Sequence, residues 1–302
     1  MHVERGVAPV ALAAGYNQTA MHATHLTRRT LLASSLATAL ARTAPAANVY
    51  PKLLGAQLYT VRSILPKDPA GVLKAMAMIG YKEVEGAPEF LAQHGKLITD
   101  VGMSMPCAMV NLPALAGERA EATVAGAHKL GLKSIGLSYL NEQERSGIGA
   151  ALAAMNRAAE LAAKAGMNFY YHNHCFEFGG APGARVWDRI LKECSPKVML
   201  ECDVFWLTVG GQDPAASIAQ LGKRVLSLHL KDVEKGTKVY HQEREVPRSA
   251  FKECGSGTVD FKKVLAAARK AGVRHFFVEQ DATPGDPLAS IRQSYQYLRK
   301  LG

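Results

Sequence analysis

From Leu53 onward, short apolar runs alternate with longer amphipathic ones eight times over, and this repeat constrains the fold more than any other feature of the chain. Residues 54–61, 81–85, 104–111, 134–140, 197–203, 225–230 and 275–279 read as strands, with a further buried strand opening at Met167. Between them lie helical patterns at 68–79, 88–101, 118–130, 142–165, 184–194, 213–221 and 261–271, and a last one at 287–301. Asp68-Pro69 suits a first helical turn, and Gly131 and Gly166 suit helix ends. Eight such units in about 250 residues predict an α/β chain folded as a single-domain (β/α)8 TIM barrel. An open doubly wound sheet would carry a Gly-rich phosphate turn after its first strand, and this chain has none.

In such a barrel the reactive groups project from the C-terminal ends of the strands, so the residues ending each strand are the ones to inspect. The fifth strand runs into Tyr171-His172-Asn173-His174-Cys175-Phe176-Glu177-Phe178. The sixth ends at Asp203, with Trp206 three residues on; the seventh ends with His229, Lys231 and Asp232; the eighth with Glu279, Gln280 and Asp281. The first four offer Gln57, Glu83, Glu85 and Asn111, with no histidine. An imidazole or carboxylate from each of four adjacent strands suits one divalent cation with mixed nitrogen and oxygen ligands, such as Mn, Mg, Co or Zn. An Asp at a strand end also suits a helix cap, so Asp203 alone would decide nothing.

Gln57-Leu-Tyr-Thr-Val-Arg, Tyr171-His-Asn-His-Cys-Phe-Glu-Phe, Asp203-Val-Phe-Trp, Leu228-His-Leu-Lys-Asp, Gly255-Ser-Gly-Thr-Val-Asp-Phe and Val278-Glu occur in this order. Together they resemble the sugar phosphate isomerase/epimerase family of xylose-isomerase-like barrels, over 53–302. The resemblance implies a divalent metal that polarises the carbonyl and hydroxyl of a sugar or polyol. It carries Asp203, His229 and Glu279 over as metal ligands and puts His172 in the fifth-strand slot, where epimerase members present Glu. Either His172 binds the metal, or Glu177 reaches back to it and the histidines serve the substrate. Glu279 is the expected base, with His174 or Lys231 as the partner in proton transfer; Glu177, Trp206 and Arg62 are expected to contact substrate.

The expected function is therefore a metal-dependent isomerase or epimerase acting on a sugar or sugar-derived ketone through an enediolate. The alternative is a lyase or hydratase acting on 3-keto-sugars or 3-keto-glycosides, which share the same intermediate. An endonuclease-like branch of the barrel would want histidines on the early strands, and a periplasmic sugar-binding protein would lack turnover altogether.

Charge and cysteines narrow the partners. The net charge of +10 is spread over helical faces without interleaved aromatics, which argues against nucleic acid and leaves a small-molecule carbohydrate as the expected partner. Five cysteines without a Cys-x-x-Cys pair form no disulfide framework. Before the barrel, Thr27-Arg28-Arg29-Thr30-Leu31-Leu32, an apolar run over 31–41 and Ala44-Pro45-Ala46 resemble a twin-arginine export signal. Residues 1–47 are thus expected to be signal and leader, with 48–302 working in the periplasm or outside the cell. No stable membrane association is expected after export, and a homo-oligomer is compatible with the sequence.

Overall fold

A computed structural model describes residues 53–301; the expected export signal lies outside the described residues. Eight parallel strands close into a barrel: β1 (Leu54–Gln57), β2 (Glu83–Gly86), β3 (Ser104–Val110), β4 (Ser134–Leu137), β5 (Asn168–His172), β6 (Val198–Asp203), β7 (Val225–Leu230) and, after a short antiparallel ribbon of β8 (Asp232–Val233) and β9 (Phe251–Lys252), β10 (His275–Val278). Strand order around the barrel is β1-β10-β7-β6-β5-β4-β3-β2, so the four strands expected to carry the chemistry are contiguous. Helices pack outside, and several have N-termini set by acidic caps that follow the strands: Asp68 accepts from the Gly71 N–H at 2.8 Å, Asp260 from Lys263 at 3.1 Å and Asp286 from Leu288 at 3.0 Å. Among the described residues no helix is long and apolar enough to cross a membrane.

The barrel interior is filled in layers, as alternation along each strand requires. Cys107, Tyr170, Leu226 and Phe277 form an apolar plug. Tyr170 lies so close to Gly136 that any Cβ there would enter its ring, which explains a glycine in the middle of β4. Above this plug the interior turns polar, toward the ends of the strands.

Several elements differ from the expected bounds for local reasons. The first strand stops at Gln57, whose side chain accepts from the Tyr59 N–H at 3.1 Å and turns the chain into a 3-10 turn over Leu58–Val61. The long fourth helix breaks at Gly147 into Glu142–Ser146 and Ile148–Lys164, the first piece fixed by a reciprocal cap between Asn141 and Glu144. A short helix, Val204–Val209, follows β6 directly. The Gly255-Ser-Gly-Thr-Val segment is held by the Asp232 carboxylate, which accepts from the N–H groups of Gly255, Gly257 and Val259, all at 2.9 Å. A Cβ on Gly257 would collide with Asp232 and the Val233 carbonyl, so this motif anchors a loop rather than contacting substrate.

Candidate active site

At the top of the barrel, His172 from β5, Asp203 from β6, His229 from β7 and Glu279 just past β10 bring one ligand atom each to within 4.8 Å of one another. All four are buried. Asp203 divides its two oxygens between two tasks. Oδ1 caps the following helix, accepting from the Phe205 and Trp206 N–H groups at 2.9 and 3.1 Å. Oδ2 faces the cluster, 3.3 Å from His172 Nε2. The helix cap thus uses one oxygen of Asp203 and leaves the other facing the cluster.

Lys231, just past the end of β7, reaches the same cluster and is fully buried. Its ammonium lies 2.8 Å from Asp203, 2.6 Å from Glu279 and 2.6 Å from Asp281, which uses all three of its N–H donors. Burial disfavours its charge, but these three carboxylates outweigh that cost and hold the ammonium well above the usual lysine range. Burial likewise opposes ionisation of Glu279 and Asp203; Lys231 and the neighbouring imidazoles reverse the balance and keep both carboxyls below the usual range. Lys231, for which a catalytic role is expected, lies behind the cavity wall, its ammonium against these three carboxylates.

His229 is the hinge between this cluster and a second one beneath it. Its Nδ1 faces Glu279 Oε2 at 2.9 Å, while Nε2 meets Glu85 Oε2 at 2.7 Å and lies 3.2 Å from Glu201 Oε2. Glu85 is itself held by Gln57 Nε2 at 2.8 Å and by the Tyr170 hydroxyl. Carboxylates on both sides overcome burial and raise the His229 pKa well above the usual range. Burial and then Glu85 push the Glu201 carboxyl well up. Glu85 and Glu201 were not singled out as site residues from the sequence. Period-two alternation was the available signal, since Glu201 shares the inward face with Asp203.

The cluster opens into a cavity of about 880 Å³ whose wall includes His172, His229 and Glu279, and also His174, Trp206 and Arg62. His174 lies past the end of β5, its ring 5.2 Å from Trp206 and 4.8 Å from His172. Burial first, then the charges of His172 and Lys231, hold it well below the usual histidine range, so its imidazole is neutral near pH 7. Arg62 lies 3.8 Å over the Tyr59 ring and donates to the Asp281 carbonyl at 2.7 Å. Glu243, paired with Arg145 at 2.7 Å, completes the far wall from the loop after β7.

Glu177 is the expected substrate contact that the structure moves elsewhere. It sits in the 3-10 turn Phe176–Phe178, fully buried, with Oε1 accepting from the Tyr171 hydroxyl at 2.6 Å and the His174 N–H at 2.9 Å. It lines neither the cavity nor the metal-ligating cluster. Burial raises its pKa to about 8, as suits an acid that braces the turn carrying His174. Of the two fifth-strand alternatives, His172 faces the cluster and Glu177 does not.

Two imidazoles and two carboxylates, buried and convergent, make a donor set that fits a divalent cation. Lys231 shares the same carboxylates and limits the negative charge a cation would meet there. The fold and this site define a (β/α)8 barrel with a candidate metal centre at the C-terminal ends of strands β5, β6, β7 and β10. Residues 91–301 match the xylose isomerase-like TIM barrel family, and the chain belongs to it. It is 33% identical over 156 residues to an inosose dehydratase of Geobacillus thermodenitrificans, a match covering 48% of this chain and 52% of that protein. The chain thus spans about half the length of that curated relative. Among solved structures it is similar to a sugar phosphate isomerase/epimerase from Parabacteroides distasonis, with a TM-score of 0.69, 22% identity and 82% and 97% of the two chains covered. It is also similar to a probable 3-DHS dehydratase from Bacillus anthracis, with a TM-score of 0.61, 14% identity and 82% and 98% covered.

Proposed function

We propose that the protein is a metal-dependent lyase that eliminates a β-oxygen substituent from a sugar-derived ketone. The observation that carries this reading is at the end of β5. A two-base epimerisation wants a carboxylate on each face of the reacting carbon. Here the fifth-strand position is His172; Glu177 is bonded into the turn behind the cavity, and of the other acids on the wall Glu243 is paired with Arg145 and Asp281 with Lys231. The inosose dehydratase relative supports elimination, and with this geometry it favours the lyase alternative over isomerase or epimerase chemistry.

A divalent cation held by His172, Asp203, His229 and Glu279 would supply Lewis-acid polarisation of the substrate carbonyl, an effect worth several kcal/mol. The chain's own groups supply the proton chemistry. Glu279, kept ionised by Lys231 and His229, takes the proton from the carbon next to the carbonyl. His174, on the same cavity wall, hydrogen-bonds the departing oxygen. Lys231 and Asp203 hold their places and bar Glu279 from swinging away. Trp206 forms an apolar side against which a ring can pack.

The test is to strip the protein with a chelator, reload it with Mn, Mg, Co or Zn, and follow a conjugated-carbonyl absorbance on adding an inosose. Metal-restored growth of that band, lost in Glu279→Gln, is the expected outcome. Interconversion of a free ketose without any such band would overturn the lyase reading. We further propose that the chain acts after export, because the Arg28-Arg29 pair precedes an apolar run and a small-residue site. Retention inside cells of a fusion carrying residues 1–47 would count against that.

A further inference from the structure

The cavity is much larger than a single keto-sugar ring needs. At about 30 Å³ for each water-sized group, 880 Å³ holds roughly thirty such groups, whereas a six-carbon keto-polyol has about twelve non-hydrogen atoms. The volume lies in the range of drug-sized ligands, roughly 300–1,000 Å³. The excess is not uniform in character. The reactive groups sit at the ends of β5, β6, β7 and β10. Apart from Met109, Ser138, Tyr139 and Glu243, the remaining wall comes from the segments after β1 and β2 and includes Tyr59, Leu65, Pro66, Ala87, Phe90 and His94.

This second lobe is apolar and aromatic. Tyr59 is 51% exposed and offers one ring face to this lobe. Its other face carries the Arg62 guanidinium at 3.8 Å, which fixes the ring plane. Phe90 and His94 pack at 4.4 Å between ring centroids, a second aromatic surface in the same lobe. Barrel order decides where the lobe lies relative to the chemistry. β1 pairs with β10, and Arg62 donates to the carbonyl of Asp281, so the lobe continues from the Glu279 side of the reacting centre.

We infer that this lobe is a subsite for an aromatic or apolar aglycone, and that the substrate is a keto-sugar carrying that aglycone in glycosidic linkage on the carbon β to its carbonyl. The inference rests on the lyase reading above for its chemistry. The proton on the carbon between carbonyl and glycosidic carbon passes to the base, and its electron pair becomes the new C=C bond. The glycosidic C–O bond breaks, its electron pair stays on the aglycone oxygen, and that oxygen takes up one proton. The products are an unsaturated keto-sugar and the free hydroxy-aglycone, with no water, oxidant or reductant consumed. Binding energy from the remote ring then helps to hold the reacting carbon in place.

The experiment compares benzyl and methyl 3-keto-glucosides, whose leaving alkoxides are of similar basicity, on the metal-loaded full chain. Binding is read by calorimetry and elimination by the conjugated-carbonyl band. The expected result is binding of the benzyl compound about tenfold tighter than the methyl one, the order of a single aromatic contact. The same preference is expected in kcat/KM, carried by KM. Phe90→Ala, and independently Tyr59→Ala, should each shrink the benzyl-to-methyl ratio, which guards against one variant failing to fold. Equal affinity for the two compounds, or exclusion of the benzyl one, overturns the subsite. A benzyl preference in binding with no elimination of either compound, or of an inosose, leaves the subsite standing and overturns the lyase reading instead.

Discussion

Replacing Lys231 with Met removes the ammonium that bridges Asp203, Glu279 and Asp281 while keeping most of the buried volume. Asp203, Glu279 and Asp281, 2.6–2.8 Å from the ammonium, then lose that partner, and of these Asp203 and Glu279 are buried. Breaking a buried ion pair from one side costs about 3–5 kcal/mol, because the remaining charge is left uncompensated. For a domain of this size about 1 kcal/mol moves Tm by roughly 2–4 °C, so in chelator the Lys231→Met protein should melt some ~6–20 °C below wild type. A divalent cation changes the comparison. It binds a site that has lost one positive charge, so the variant should take it up more tightly than wild type, and about 2.7 kcal/mol of stabilisation is available at a hundred times Kd. The gap in Tm should therefore narrow with added Mn or Zn. Thermal melts with chelator and across a metal titration measure both effects. A variant as stable as wild type in chelator, or a gap indifferent to metal, would refute the view that lysine and cation share these carboxylates.

Three further outcomes follow from the same geometry. Glu85→Gln weakens the acceptor that orients His229 Nε2, and calorimetry should show divalent-metal affinity reduced about 10–100-fold with the fold intact. The Glu177 carboxyl, raised by burial from an unfolded value near 4.5 to about 8, contributes stability below pH 4.5 that is lost as pH rises through about 8. Denaturation midpoints should thus fall over that window in wild type and fall less in Glu177→Gln; identical profiles would sink this assignment. Gly257→Ala forces a Cβ against Asp232 and the Val233 carbonyl and should cost about 1–3 kcal/mol, seen as a lower denaturation midpoint.

The barrel was legible because each strand buries itself as a short apolar run and each helix leaves an amphipathic one, a period that survives single-residue noise. His172, Asp203, His229 and Glu279 were legible for a related reason: strand ends in this architecture point at one place. Glu201 was not legible because it sits inside its strand, where a carboxylate is expensive unless the interior itself is polar, and nothing in the sequence links Glu85, one of the early-strand acids, to His229. The sixth strand, Glu201-Cys202-Asp203, shows by its alternation that both acids face inward. Glu177 misled because a carboxylate five residues past His172 is near in sequence, whereas the turn at Phe176–Phe178 points it into the wall. Tyr59, Phe90 and Glu243 reach the cavity from loops and helix starts, whose directions no periodicity encodes.

The central claim is that this site eliminates rather than isomerises, and the mass of the product tests it most directly. Metal-loaded protein is incubated with an inosose in deuterated water and the product is analysed by mass spectrometry. The account predicts a product lighter by one water, absent when the metal is removed or Glu279 is replaced by Gln. A product of unchanged composition, differing only by solvent deuterium at the exchanged carbon, would contradict it and restore isomerase or epimerase chemistry.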